Sequence, residues 1–87
     1  MIIKSKKRFD KQFDKLQPKL KSKVKERIAL FAVNPFNSLL NNHQLHGEME
    51  GLRAFSVTGD IRIIFEECDG YTLVVFLDIG GHGNVYE

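Results

Sequence analysis

The stretch Ile61-Arg62-Ile63-Ile64-Phe65-Glu66-Glu67-Cys68-Asp69-Gly70-Tyr71-Thr72-Leu73-Val74-Val75-Phe76-Leu77-Asp78-Ile79 decides the fold. Two runs rich in β-branched and aromatic residues flank Asp69-Gly70, a turn dipeptide, and so read as an antiparallel hairpin. A third run, Leu52 to Thr58, precedes a second turn dipeptide, Gly59-Asp60, and extends the hairpin into a three-stranded meander. In the last strand Leu73, Val75, Leu77 and Ile79 alternate with Thr72, Val74, Phe76 and Asp78. That alternation predicts that the first set forms the apolar face on which helices pack.

Toward the N-terminus the period changes. Phe9, Phe13 and Leu16 recur at helical spacing, which predicts a first helix over about 5–16 with both rings on one stripe. Leu20, Val24, Ile28 and Phe31 repeat the pattern in a second helix. Pro18 suits its first turn, where no N–H is needed, and Asn34-Pro35 stops it, because the residue before a proline is pushed out of helical space. Met1-Ile2-Ile3-Lys4 reads as a short edge strand. The expected class is therefore α+β: one domain over residues 1–87, with an N-terminal helical hairpin packed on a small antiparallel sheet in the order β-α-α-β-β-β.

At 87 residues the chain is near the lower end of what folds without staples, so nearly every apolar run must be used. Its single cysteine, Cys68, allows no intramolecular disulfide, and no CxxC spacing exists to hold a metal. No run approaches the length of a membrane span and the N-terminus lacks the apolar core of a secretory signal. A cytoplasmic protein needing neither cofactor nor metal is the expectation. Residues 1–34 carry eleven Lys/Arg against three acids, +8, and residues 35–87 carry two against eight, −6, within a net charge of +2. A basic helical face of this kind either attracts phosphates over a Debye length or is simply solvated.

A loop of about sixteen residues, from Pro35 to Glu50, joins helices to sheet, and long loops in small domains are usually functional. It carries His43 and His46. The chain ends on Gly80-Gly81-His82-Gly83-Asn84-Val85-Tyr86-Glu87, where glycines flank a histidine and an aromatic closes the chain.

With these features the sequence resembles the RelE/ParE superfamily of bacterial toxins, and within it the ribosome-dependent mRNA interferases of the YafQ type. The resemblance spans essentially the whole chain. It rests on His43-Gln44-Leu45-His46-Gly47, similar to a family His-Pro-Leu-x-Gly, then Gly51-Leu52-Arg53, Gly59-Asp60-Ile61-Arg62-Ile63-Ile64-Phe65, and Gly81-His82 with Tyr86 four residues on. It implies the toxin of a type II toxin–antitoxin system, an endoribonuclease that cuts mRNA on the ribosome and is held by a cognate antitoxin. Contact with operator DNA would come only through the antitoxin complex. By position, His43, Asp60, His82 and Tyr86 match catalytic residues of the YafQ type, and Arg62 matches a strand arginine of other members. Two positions depart from the pattern: Gln44 replaces the proline, and Ser56 replaces a strand histidine. The ParE-like branch, a non-catalytic inhibitor of DNA gyrase, and an inactive regulatory relative are the alternatives.

The residues themselves supply a minimal metal-free ribonuclease. RNA brings its own 2′-OH nucleophile, so the enzyme needs a base, an acid and a cation for the phosphorane; each proton partner contributes typically about 10²–10⁴-fold. His43 and His82 are the candidate proton carriers, either one as base, unless His43 is simply a solvated loop histidine. Arg62 is the phosphate clamp, a planar fork of fixed charge, or else the partner of Glu66. Tyr86 either stacks on a base or anchors the terminus on the sheet. Asp60 either serves its turn or orients a histidine. His46 and Arg53 either contact substrate phosphate or make ordinary surface and ion-pair contacts.

Overall fold

The computed structural model describes residues 1–81 of the chain. In chain order it contains β1 (Ile2–Ser5), α1 (Lys7–Asp14), α2 (Pro18–Val33), β2 (His43–Gln44), β3 (Arg53–Ser56), β4 (Ile61–Cys68) and β5 (Leu73–Gly81), with 3₁₀ turns at Ser38–Leu40 and Gly47–Met49. The two helices lie on one face of a five-stranded sheet of order β1-β5-β4-β3-β2.

The helix boundaries follow their local chemistry. Pro18 opens α2, and Gln17 before it is extended, with ψ of 149°. Asn34 ends α2 with φ −152° and ψ 98°, the extended conformation that Pro35 imposes on its predecessor. The side chain of Asn34 then accepts the N–H of Phe36 at 3.0 Å, which turns the chain into the loop.

β3, β4 and β5 form the expected antiparallel meander. β1 pairs with β5 in parallel, Ile2 opposite Leu73 and Ser5 opposite Phe76, so the sheet is mixed where a wholly antiparallel one was expected. The reason is connectivity: the helical hairpin returns the chain across the sheet, which lets β1 lie along the far edge of β5 in the same direction. The loop also contributes a strand, β2, whose two residues pair with β3 at the opposite edge.

The face of β5 differs from the simple alternation. Val74, Phe76 and Ile79 are buried in the main core beneath the helices, whereas Leu77 packs into a smaller cluster with Leu45, Ala54 and Ile64. The cause is a bulge: Phe65 pairs with Phe76 while Ile64 pairs with Asp78, leaving Leu77 as the extra residue. One added residue inverts the facing of everything beyond it. Hence Val74 and Phe76 before the bulge, and Ile79 after it, point to the same side despite their spacing.

Phe31 is the centre of the main core. It is fully buried, stacks on Phe55 with centroids 4.5 Å apart, and meets Phe65 and Phe76 edge-on at 5.0 and 6.0 Å. Burying one such ring contributes roughly 1.5–3 kcal/mol, and each well-placed ring pair about 0.5–1.5 kcal/mol more. α1 is fastened separately. Phe9 packs 5.3 Å from Phe76, and Arg8 Nε donates to Asp78 Oδ2 at 2.7 Å beside the bulge.

Candidate active site

Register places the site on the sheet face away from the helices. His43 is opposite Ala54, Ala54 opposite Ile64, Ser56 opposite Arg62, and Arg62 opposite Gly80. Directly paired residues project to the same side of a sheet. Ala54 and Ile64 belong to the smaller cluster, whereas Phe55 and Ile63 belong to the helix-covered core. His43, Ser56 and Arg62 therefore share the face that no helix covers. Two strand spacings and two residues along the strand separate the Cα atoms of His43 and Arg62, about 12 Å. Gly80, opposite Arg62, adds no side chain to this face.

His43 is held by the loop that precedes it. Its Nδ1 lies 2.8 Å from the carbonyl oxygen of Asn41. A carbonyl can only accept, so Nδ1 carries the proton, and in the neutral ring Nε2 presents a lone pair. The loop is fixed on both sides of that carbonyl. Leu40 is fully buried, and Asn42 is bonded three ways: Nδ2 donates to Pro35 O and to Tyr71 Oη, both at 3.0 Å, while Oδ1 accepts from Arg53 Nε at 2.8 Å.

Arg62 sits beside the hairpin loop and points toward it. Its Nη1 donates to Gly59 O at 3.4 Å, a long bond that a phosphate could replace. No ion pair joins it to Glu66 among the described residues. The turn is built by Thr58, whose Oγ1 accepts the N–H groups of Asp60 and Ile61 at 3.2 and 3.1 Å. Asp60 itself is exposed and its carboxylate makes no bond within the turn, so the turn does not account for that side chain.

Arg53 and His46 lie elsewhere. Arg53 is on the helix side of the sheet, its guanidinium 5.7 Å from the Phe36 ring centroid as well as bonded to Asn42. With exposed His46 it lines a cleft of about 340 Å³ that Gln44, Glu50 and Glu67 also border. The structure thus joins Arg53 and His46 to each other at the β2–β3 end of the sheet, apart from Arg62 at the opposite end of β4. His82 and Tyr86 lie outside the described residues. Gly81, the last described residue, pairs with Ile61, next to Arg62.

Asn41, Asn42, Thr58 and Tyr71 were not singled out by sequence. The signal for Asn41 was available, since asparagine is the non-glycine residue most at home in the left-handed conformation that ends a helical turn. For Tyr71 and Asn42, 29 residues apart, no local pattern exists.

The same fold occurs in solved toxin structures. YafQ from E. coli matches with a TM-score of 0.82 at 24% identity, over 98% of this chain and 97% of that one. A YoeB/ParE toxin from Agrobacterium tumefaciens matches with a TM-score of 0.78 at 15% identity, over 94% of this chain and 99% of that one. The RelBE2 toxin–antitoxin complex from Mycobacterium tuberculosis matches at 0.67 and 18%, over 93% and 96%. No family model and no curated protein sequence matches the chain. The molecule has the RelE-like α+β fold.

Proposed function

We propose that this chain is the toxin of a type II toxin–antitoxin system and cleaves mRNA on the ribosome as a metal-independent endoribonuclease. The observation that carries the reading is the sheet face that His43 and Arg62 share and no helix covers, with Nε2 of His43 unpartnered among the described residues and the end of β5 alongside. The fold adds support, because the solved structures that share it include YafQ bound to DinJ and the RelBE2 toxin–antitoxin complex.

In the reaction, a base removes the 2′-OH proton and O2′ attacks phosphorus. The P–O5′ bond then breaks, and an acid protonates the departing 5′-oxygen. The products are a 2′,3′-cyclic phosphate and a 5′-OH. His43 and His82 are the proton carriers, and Arg62 offsets the charge that develops on the phosphorane. Ser56, opposite Arg62, offers a hydroxyl to the same phosphate where YafQ-type sequences carry a histidine. Asp60 flanks the clamp, Tyr86 stacks on a base, and the lysines of α1 and α2 meet ribosomal RNA as a diffuse positive face. His46 and Arg53 bind the message beyond the scissile step. An antitoxin protein holds the enzyme inactive.

A translation reaction on a defined message tests this. Cuts in register with codons are expected. An intact message together with failed gyrase supercoiling would replace the nuclease with a gyrase inhibitor.

A further inference from the structure

We infer that Asn41 is a positioning residue that makes His43 the general base, an inference that rests on the nuclease reading above. Asn41 has φ 48° and ψ 48°, the left-handed conformation, at the end of the Ser38–Leu40 turn. That conformation swings its carbonyl back toward its own downstream neighbour, where it meets Nδ1 of His43 at 2.8 Å. An acceptor-only oxygen at this distance keeps the ring proton on Nδ1 and leaves Nε2 as the proton acceptor. In the neutral form this ring can take the 2′-OH proton on Nε2, and with His43 as base the acid is a different group.

The carbonyl is not free to turn away. Leu40 on one side is fully buried, and Asn37 braces the turn by accepting the N–H of Leu39 at 3.0 Å. On the other side Asn42 is held by Pro35, Tyr71 and Arg53. These anchors hold the chain on both sides of the Asn41 carbonyl. The left-handed backbone is thus maintained by tertiary contacts, and asparagine is a residue that tolerates it at small cost.

Two substitutions separate this role from a merely structural one. Glycine enters the left-handed region freely, whereas a β-branched residue there is a steric outlier. With ¹⁵N-labelled protein, long-range ¹H–¹⁵N correlation of the His43 ring reads the tautomer directly. The native chain and Asn41→Gly are expected to show the proton on Nδ1 and to cleave message at rates within about threefold of each other. Asn41→Val is expected to show a mixed or reversed tautomer, with kcat lowered about 100-fold, the lower range for loss of one proton-transfer partner, and KM little changed. A native His43 protonated on Nε2, or an Asn41→Val chain with full kcat, overturns the inference. Should Asn41→Val fail to fold, the native tautomer alone decides. A native chain that leaves message intact while its His43 carries the Nδ1 proton overturns the nuclease reading instead.

Discussion

Arg53 Nε donates to Asn42 Oδ1 at 2.8 Å, and this bond ties β3 to the loop that carries His43. The same guanidinium lies over Phe36, and Asn42 reaches on to Tyr71 Oη at the far hairpin. A residue that sequence placed against substrate is thus also a clamp on the loop.

Breaking that clamp should cost stability and activity together. Arg53→Ala removes a part-buried, charge-assisted hydrogen bond and a cation–π contact, on the order of 2–3 kcal/mol together. The urea midpoint should fall accordingly. Arg53→Lys should recover little, because an ammonium cannot reproduce the planar fork lying over Phe36. Equal stability of Arg53→Ala and the native chain would show that the loop holds itself.

Phe31→Ala should be the most damaging of the single changes considered. The ring is fully buried among four other aromatic residues, and its removal leaves a cavity that the sheet and α2 cannot close. The expected loss is about 3–5 kcal/mol, a large part of the roughly 5–15 kcal/mol that a domain possesses. Chemical denaturation with an unchanged slope would measure it; a loss below about 1 kcal/mol would mean that the neighbouring rings repack.

Arg62→Ala should separate chemistry from folding. Among the described residues the side chain makes one long bond, to the loop, on the sheet face away from the helices, so stability should change by no more than about 0.5 kcal/mol. Message cleavage should drop by about 10²–10³-fold, the range for a lost oxyanion donor. Native-level cutting by this variant would remove the phosphate clamp from the proposed mechanism.

The Arg8–Asp78 pair gives a prediction about salt and pH. The hydrogen bond from Arg8 to Asp78, and then the charge of that carboxylate, raise the Arg8 pKa above its already high usual value. A cationic group with a raised folded pKa contributes stability that is complete below its unfolded pKa and is lost only as pH climbs through the folded one. Between about pH 7 and pH 9 the contribution is therefore constant. Arg8→Gln should lower the melting temperature slightly and by the same margin at both values. Because Arg8 is largely exposed, the margin should shrink in about 1 M salt. A margin that grows between the two pH values would contradict the sign of this linkage.

Much of the architecture was legible from local signals. The two phenylalanines of α1, the apolar stripe of α2, Pro18 at its start and Asn34-Pro35 at its end each act within a few residues, and the helices lie where they indicate. The three-stranded meander also followed, since short turns fix strand neighbours. The Asn41–His43 bond did not, because a backbone carbonyl has no letter in the sequence.

By itself, then, the sequence determined which segments are helix and strand, that β3, β4 and β5 run antiparallel, and which polar side chains stand near the ends of strands. Tertiary structure alone decided which face of β5 meets the helices, that β1 runs parallel at its edge, and which nitrogen of His43 faces a backbone carbonyl. Periodicity is set by backbone geometry within one element. The facing of a strand beyond a bulge, the direction of an edge strand and the orientation of a carbonyl depend on contacts between residues far apart in the chain, where no local pattern records them.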